Sequence, residues 1–331
     1  MDGLLVIDKP QGPTSHDVVA RMRRVLREKA IGHTGTLDPM ATGVLLLVLG
    51  KATRLAKFLT ASDKSYDAVV RLGFATDTAD ALGQALGPIS ESPMPSRGEI
   101  DAALDAFRGT FMQRPPAFSA KKIDGQRSYK LARARAADAR RKLSQSDPRD
   151  LPDLLAPLPL PAPASVTARA IRIIAVDGDR VTLDVRVSAG FYVRSLAHDL
   201  GERLGIGGHL AALRRTRTGG FGLDHAITLD AAERDPAGAA ATVVPLSAMM
   251  LDVASVVLTA DGVKRVVHGG DIDPRDQSLA EPSALSPQPF SQPSVVTPHP
   301  FVRLLDPGGN LIAIGRPVGA GSLLHPSVVL V

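Results

Sequence analysis

The sequence contains no cysteine and no tryptophan, and aromatic residues make up only 4% of its 331 positions. Without cysteine there is no disulfide, no thiol nucleophile and no thiolate zinc site, a composition compatible with a reducing cytoplasm. With so few aromatics, a core must be built from Leu, Val, Ile and Ala, and a hydrophobic content of 44% supplies them. No apolar run reaches the roughly 18 residues of a membrane-spanning helix. Met1 leads directly into Leu4-Leu5-Val6-Ile7, a candidate first strand, with no basic-then-apolar leader. The expectation is a soluble cytoplasmic protein without a membrane partner, long enough for one large domain and one small one.

What is present centres on Gly32-His33-Thr34-Gly35-Thr36-Leu37-Asp38-Pro39-Met40-Ala41-Thr42-Gly43. Pro39 biases Asp38 toward an extended backbone. Glycines on both sides permit sharp turns and close approach to a partner. Val44 to Leu49 is an unbroken apolar run of strand length. One carboxylate on a tight loop, mounted on a buried element, is an arrangement that often carries chemistry. The same carboxylate could equally brace a turn. Look-alike motifs fail on spacing. Gly50-Lys51 has Leu45 where a P-loop needs its first glycine, and Ala52 where it needs Ser or Thr. Thr34-Gly35-Thr36-Leu37 lacks the leading Asp of a haloacid-dehalogenase-like loop. Asp77-Thr78-Ala79 lacks the glycine of an aspartic-protease loop and has no second copy.

The net charge is +5, unevenly spread. Residues 251–331 hold five Lys/Arg and seven Asp/Glu, whereas residues 121–142 hold nine Lys/Arg and two Asp. Arg21, Arg23, Arg24, Arg27 and Lys29 form another basic cluster, and Arg214, Arg215 and Arg217 a third. Such clusters suit a phosphate backbone, and each also fits a solvated helix face.

The spacing of Val18, Val19, Met22, Val25 and Leu26 after the capping-type start Thr14-x-x-Asp17 predicts a helix running to about Lys29. Tyr66–Leu72 reads as a strand ended by Gly73, and Ile100–Phe107 as a short helix. Lys121–Lys142 is expected to be partly helical. Residues 143–165, rich in Pro, Ser and Asp, read as a low-complexity insertion. Order returns at Val166. Val181 to Val187 alternates as a half-buried strand, and Leu196, Leu200 and Leu204 mark a helix stopped by Gly205, Gly207 and Gly208. Short apolar runs at 253–258, 302–305, 311–314 and 328–331 suggest a small β barrel, interrupted by a Pro/Ser-rich loop at about 281–300.

Five blocks together resemble the bacterial tRNA pseudouridine(55) synthase (TruB) family over nearly the whole chain. They are Gly3–Gly12; the Gly32–Gly43 loop; Ser62-Asp63-Lys64-Ser65-Tyr66 with Asp77–Gly83; Pro115–Lys122 with Gly125, Tyr129 and Ala132-Arg133; and Gly190–Gly201, closing at Leu213-Arg214-Arg215. Phe118 and Ser65 depart from the family's usual aromatic hydroxyl and basic residue. The resemblance implies an α+β fold: a mixed, largely antiparallel sheet with flanking helices, and a C-terminal PUA-like β barrel. It implies a catalytic domain over 1–250 and an RNA-binding domain over 251–331.

The activity implied is isomerisation of uridine to pseudouridine at position 55 in the T-loop of tRNA, with extrusion of the target base. No cofactor and no metal are expected, since nothing is consumed, and no obligate protein partner is implied. The family's nucleophile corresponds to Asp38, a residue type that acts covalently at sugar carbons. Arg194 corresponds to the guanidinium that keeps that carboxylate ionised against burial. Tyr66 corresponds to the active-site tyrosine, Tyr192 and Leu213 to the uracil pocket, and His33 to the ring that fills the vacated stack. Lys121, Lys122, Arg127, Lys130 and Arg133 would follow tRNA phosphates. Asp77, Asp80, Lys9 and Pro10 read as supports for the catalytic loop. Rival readings are a non-catalytic tRNA-folding factor, a uridine methyltransferase (disfavoured by the missing cysteine and donor site), and a pseudouridine synthase for another RNA.

Overall fold

The apolar run near the N-terminus becomes the strand Gly3–Lys9, which pairs antiparallel with Thr42–Leu49 from Gly3↔Leu49 to Lys9↔Gly43. This computed structural model describes residues 1–119, 121–123, 125–128, 131, 134, 161–278, 301–318 and 323–331. Contacts divide the chain into two compact units, residues 1–62 with 217–331, and residues 63–216.

In the first unit, Thr42–Leu49 also pairs with Ile31–His33, and Gly3–Lys9 pairs with Ile227–Thr228 and Val244–Pro245. Almost every side chain of both long strands is buried, as their unbroken apolar sequences require. The helix Ser15–Val25 starts with the expected Thr14/Asp17 capping box and buries Val18, Val19 and Met22. It stops four residues before the expected Lys29. Arg27 takes φ +52°, which breaks the helical path, and Arg23 donates to the Ile31 carbonyl in the turn that follows.

The C-terminal part of this unit is a four-stranded sheet in the order Ser255–Val257, Val302–Leu305, Leu311–Val318, Leu323–Val329. Single bridges Leu258↔Gln277 and Ile272↔Leu324 link its two outer strands through residues 272–277. The last strand begins at Leu323 rather than the expected Val328. Leu305, Leu311, Ile314 and Leu330 share one core with Leu4, Val6, Val44 and Leu46. The expected loop at 281–300 lies outside the described residues.

In the second unit, Lys64–Leu72 pairs with Arg180–Val187, that strand with Ala164–Asp177, and that one with Gly109–Gln113, all antiparallel. Alternation puts Ala68, Val70, Leu183 and Val185 on the buried face. The helix expected at 100–107 begins earlier, at Arg97, behind a Ser96/Glu99 capping box, and its last residues form a 3₁₀ turn at Asp105–Phe107. The helix Val193–Arg203 carries Leu196 and Leu200 inward as expected. Strand Ala164–Asp177 takes in the last two residues expected to belong to the 143–165 insertion. Residues 143–160 lie outside the described set. Within Lys121–Lys142, the described residues form a two-residue strand pair, Lys122–Ile123 with Gln126–Arg127, and are helical at Ser128, Leu131 and Ala134, in line with the partly helical character expected.

Candidate active site

Each unit contributes a distinct constellation. In the first, the Asp38 loop hangs from buried anchors: Leu37, Met40 and Ala41 are all in the core. Asp38 itself is half-buried, and the Ala41 amide donates to its carbonyl, closing a tight turn. Met40-Ala41 then feed directly into the buried strand Thr42–Leu49.

His33 ends the strand Ile31–His33. Its ring packs edge-on against His16, with centroids 5.1 Å apart at 83°. Its Nδ1 accepts from the Gly35 amide at 3.4 Å, so a neutral ring carries its proton on Nε2. The histidine is thus both half-buried against its own loop and braced from the neighbouring helix. Lys9 is fully buried, with Nζ donating to the Pro10 carbonyl, in keeping with a supporting role.

The second unit holds Tyr66, Tyr192, Arg194 and Leu213. Tyr66 is largely buried on the strand Lys64–Leu72, opposite Val185. Tyr192 is the residue preceding the helix Val193–Arg203, and its backbone is gripped on both sides by one amide side chain: Gln113 Nε2 donates to the Tyr192 carbonyl (3.0 Å), and Gln113 Oε1 accepts from the Tyr192 amide (2.8 Å). Leu213 is buried on the strand Gly208–Thr218.

Arg194 sits in the first turn of its helix, where the macrodipole disfavours a cation. The surroundings reverse that penalty. Arg194 donates to the Thr78 carbonyl (3.0 Å) and the Phe118 carbonyl (2.8 Å), and its Nε lies 3.8 Å from the Asp80 carboxylate. Asp80 in turn accepts from the Thr78 hydroxyl (2.7 Å) and the Leu82 amide (3.0 Å). Its loop is tied to the strand Gly208–Thr218 by amide–carbonyl bonds between Leu210 and Ala79 and between Ala81 and Leu210. Ala79, between Thr78 and Asp80, takes φ +59°, a conformation uncommon outside glycine. Asp77 accepts from the Gln84 amide and closes the same loop.

The loop that supplies the Phe118 carbonyl is held by the Ser128 hydroxyl, which donates to the Ala117 carbonyl 2.5 Å away. Of the expected phosphate-contacting residues, Lys121 is exposed. Lys122 and Arg127 are backbone register partners in the short strand pair. Lys130 and Arg133 lie outside the described residues. Among the described residues, no cluster of His, Asp and Glu is arranged to hold a metal ion, and no helix is long and apolar enough to cross a membrane.

Two contributors were not singled out from sequence. Gln113 and Ser15 act through long-range backbone bonds that no local pattern encodes. Asp80 was expected only as a brace, and its ion pair with Arg194 joins residues 114 positions apart. The one sequence signal was the conflict at Arg194, a cation where a helix start calls for an anion nearby.

Comparison with known proteins follows the same blocks. Residues 23–146 match the family model described as TruB family pseudouridylate synthase (N terminal domain), and residues 194–256 match the tRNA pseudouridylate synthase B C-terminal domain. A protein of Solibacter usitatus named tRNA pseudouridine synthase B is 38% identical over 336 residues, covering 100% of both chains. One of the same name from Corynebacterium diphtheriae is 44% identical over 238 residues, covering 71% of this chain and 73% of its own. Among solved structures, a chain from an H/ACA RNP bound to a substrate RNA containing 2'-deoxyuridine superposes with a TM-score of 0.66 at 23% identity, over 99% of this chain and 85% of that one. The last match concerns the fold.

Proposed function

The chain belongs to the TruB family of pseudouridylate synthases, and from that membership we propose that it converts uridine 55 in the T-loop of tRNA to pseudouridine. The observation that carries this reading is the intact Gly35–Gly43 block around Asp38, in a chain that aligns end to end with a curated tRNA pseudouridine synthase B.

The reaction is an internal exchange. The bond from the ribose C1′ to N1 of uracil breaks, the base turns, and C1′ bonds to C5. The C5 proton leaves and N1 gains one, so the product has the substrate's atoms and no external donor is used. Asp38 is assigned to meet the positive charge that develops at the sugar, as nucleophile or as electrostatic partner. Arg194 is assigned to keep it ionised in a water-poor pocket, because a guanidinium does not deprotonate there. Its own bonds to Thr78 and Phe118 and its pairing with Asp80 give it a set orientation before substrate arrives.

Tyr66 would stack on the extruded uracil, with Tyr192 and Leu213 completing the base pocket. His33 would occupy the gap left in the RNA stack. Lys121, Lys122, Arg127, Lys130 and Arg133 would hold phosphates without reading sequence, and the T-loop's shape would supply specificity. Residues 1–250 are assigned to the synthase domain and 251–331 to a PUA-like RNA-binding part, with action in the cytoplasm.

The test is direct. Unmodified tRNA is incubated with the pure protein, and pseudouridine is mapped by chemical derivatisation. A single new site in the T-loop is expected. Modification elsewhere, or none, would reject the assignment.

A further inference from the structure

Asp38 is the only part of its loop that chemistry would need to place to within a fraction of an ångström, yet the loop has little regular structure of its own. Its backbone is instead bound on both sides of Asp38 by one short segment. Before it, the Ser15 hydroxyl accepts from the Leu37 amide (2.8 Å) and donates to the Leu37 carbonyl (3.1 Å). After it, the Gly12 amide donates to the Pro39 carbonyl (2.8 Å). At the other end of the loop, the His16 ring packs on His33.

The segment that makes these contacts is itself stiff. Gly12 adopts φ +110°, a turn that glycine accepts without strain. Thr14 and Asp17 form a reciprocal capping box around Ser15, a residue only 1% exposed. Both hydrogen-bonding capacities of one buried hydroxyl are therefore spent on a single residue 22 positions away, the one that precedes the carboxylate. The Thr14/Asp17 cap already serves the helix start, and the Ser15 bonds run out of the helix to the loop.

We infer that Ser15 is a positioning residue for Asp38, and that the turn Gly12–His16 sets where that carboxylate meets the substrate. This rests on Asp38 being the reacting carboxylate. Ser15 is buried away from any substrate. It acts by fixing the Leu37–Asp38 peptide, whose rotation would swing the carboxylate.

The test uses the full chain with Ser15→Ala. Misplacing a reacting group by about 1 Å costs on the order of a hundredfold, so single-turnover conversion should fall about 10- to 100-fold. tRNA affinity should stay within about twofold, because uniform binding is untouched. Amide exchange in a peptide covering 34–41 should accelerate about tenfold, while peptides from Thr42–Leu49 keep their protection. Ser15→Thr, which keeps the hydroxyl, should recover most of the rate.

A wild-type rate in Ser15→Ala overturns the inference. So does a loss of rate matched by equal loss of tRNA binding, with exchange unchanged at 34–41. Should Ser15→Ala fail to fold, His16→Ala at an exposed position replaces it: faster exchange around His33 supports the positioning turn, and wild-type exchange overturns it. Asp38→Asn is run alongside. If Asp38→Asn stays active, the assignment of Asp38 fails; if Asp38→Asn is inactive and Ser15→Ala is fully active, only the positioning role fails.

Discussion

Arg194 and Asp80 form a buried ion pair, with the arginine side chain 5% and the aspartate side chain 8% exposed, and 3.8 Å between Nε and the carboxylate. A charge so enclosed is tolerated only with its counterion and hydrogen bonds in place.

Replacing Asp80 by Asn keeps the shape and removes the counter-charge. Breaking one partner of a buried pair costs about 3–5 kcal/mol. The bonds from Arg194 to Thr78 and Phe118 remain, so the loss should fall toward the lower end. Urea denaturation should show the shift in midpoint with an unchanged slope, and conversion should drop with it. A stability within error of wild type would show that the two carbonyls alone suffice for Arg194.

Asp38→Asn should bind tRNA as well as the parent and yield no pseudouridine. The half-buried side chain on a loop with buried flanks gives little reason for a folding defect. Filter binding and derivatisation of the same sample read both quantities. Equal product from the variant would refute the nucleophile assignment.

Lys64 lies almost wholly buried at the start of its strand. Burial pushes its ammonium down to about 8, the neighbouring Arg215 adds to the shift, and Asp63 opposes it. Between about pH 8 and the ordinary lysine value the unfolded chain still holds a proton that the folded protein has released. Stability from this group therefore rises with pH across that window, by up to about 3 kcal/mol, and is flat below it. Melting temperatures measured from pH 7 to 10 should show that upward component in the parent and lack it in Lys64→Met. Identical pH profiles for the two proteins would remove Lys64 as the cause.

Gly201 closes the helix Val193–Arg203 against the turn at Gly207-Gly208, and a Cβ there would collide with the backbone of both glycines. Backbone cannot swing aside as a side chain can. Gly201→Ala should cost about 1–3 kcal/mol, toward the upper end, with Arg194 on the same helix disturbed. Thermal unfolding and conversion should fall together. An unchanged midpoint would mean that the turn yields freely.

Much of this architecture is written in local pattern. The strands Gly3–Lys9 and Thr42–Leu49 declared themselves as unbroken apolar runs, and Arg180–Val187 by alternation. The cap at Thr14 was legible from two residues. Ala164–Asp177 was not, although at 14 residues it is the longest strand among the described residues. Register shifts between Ala168 and Ala170 and between Ile173 and Ala175 break its alternation, so no single period runs through it. The helix end was missed for a similar reason: Arg27 suits a helix by type, and only its left-handed backbone ends the run.

By itself the sequence determined which chemistry this chain can carry: one carboxylate on a glycine-flanked loop, no thiol, and basic stretches suited to phosphate. That information is held in residue type and spacing, and short-range sterics and hydrophobic periodicity are enough to express it. Tertiary structure alone decided what holds those groups. Asp80 reaches Arg194, Gln113 clasps Tyr192, and Ser15 grips Leu37 across distances in the chain that no local rule spans. Such bonds hold most firmly where burial has removed water as a competing partner, and burial is a property of the packed molecule.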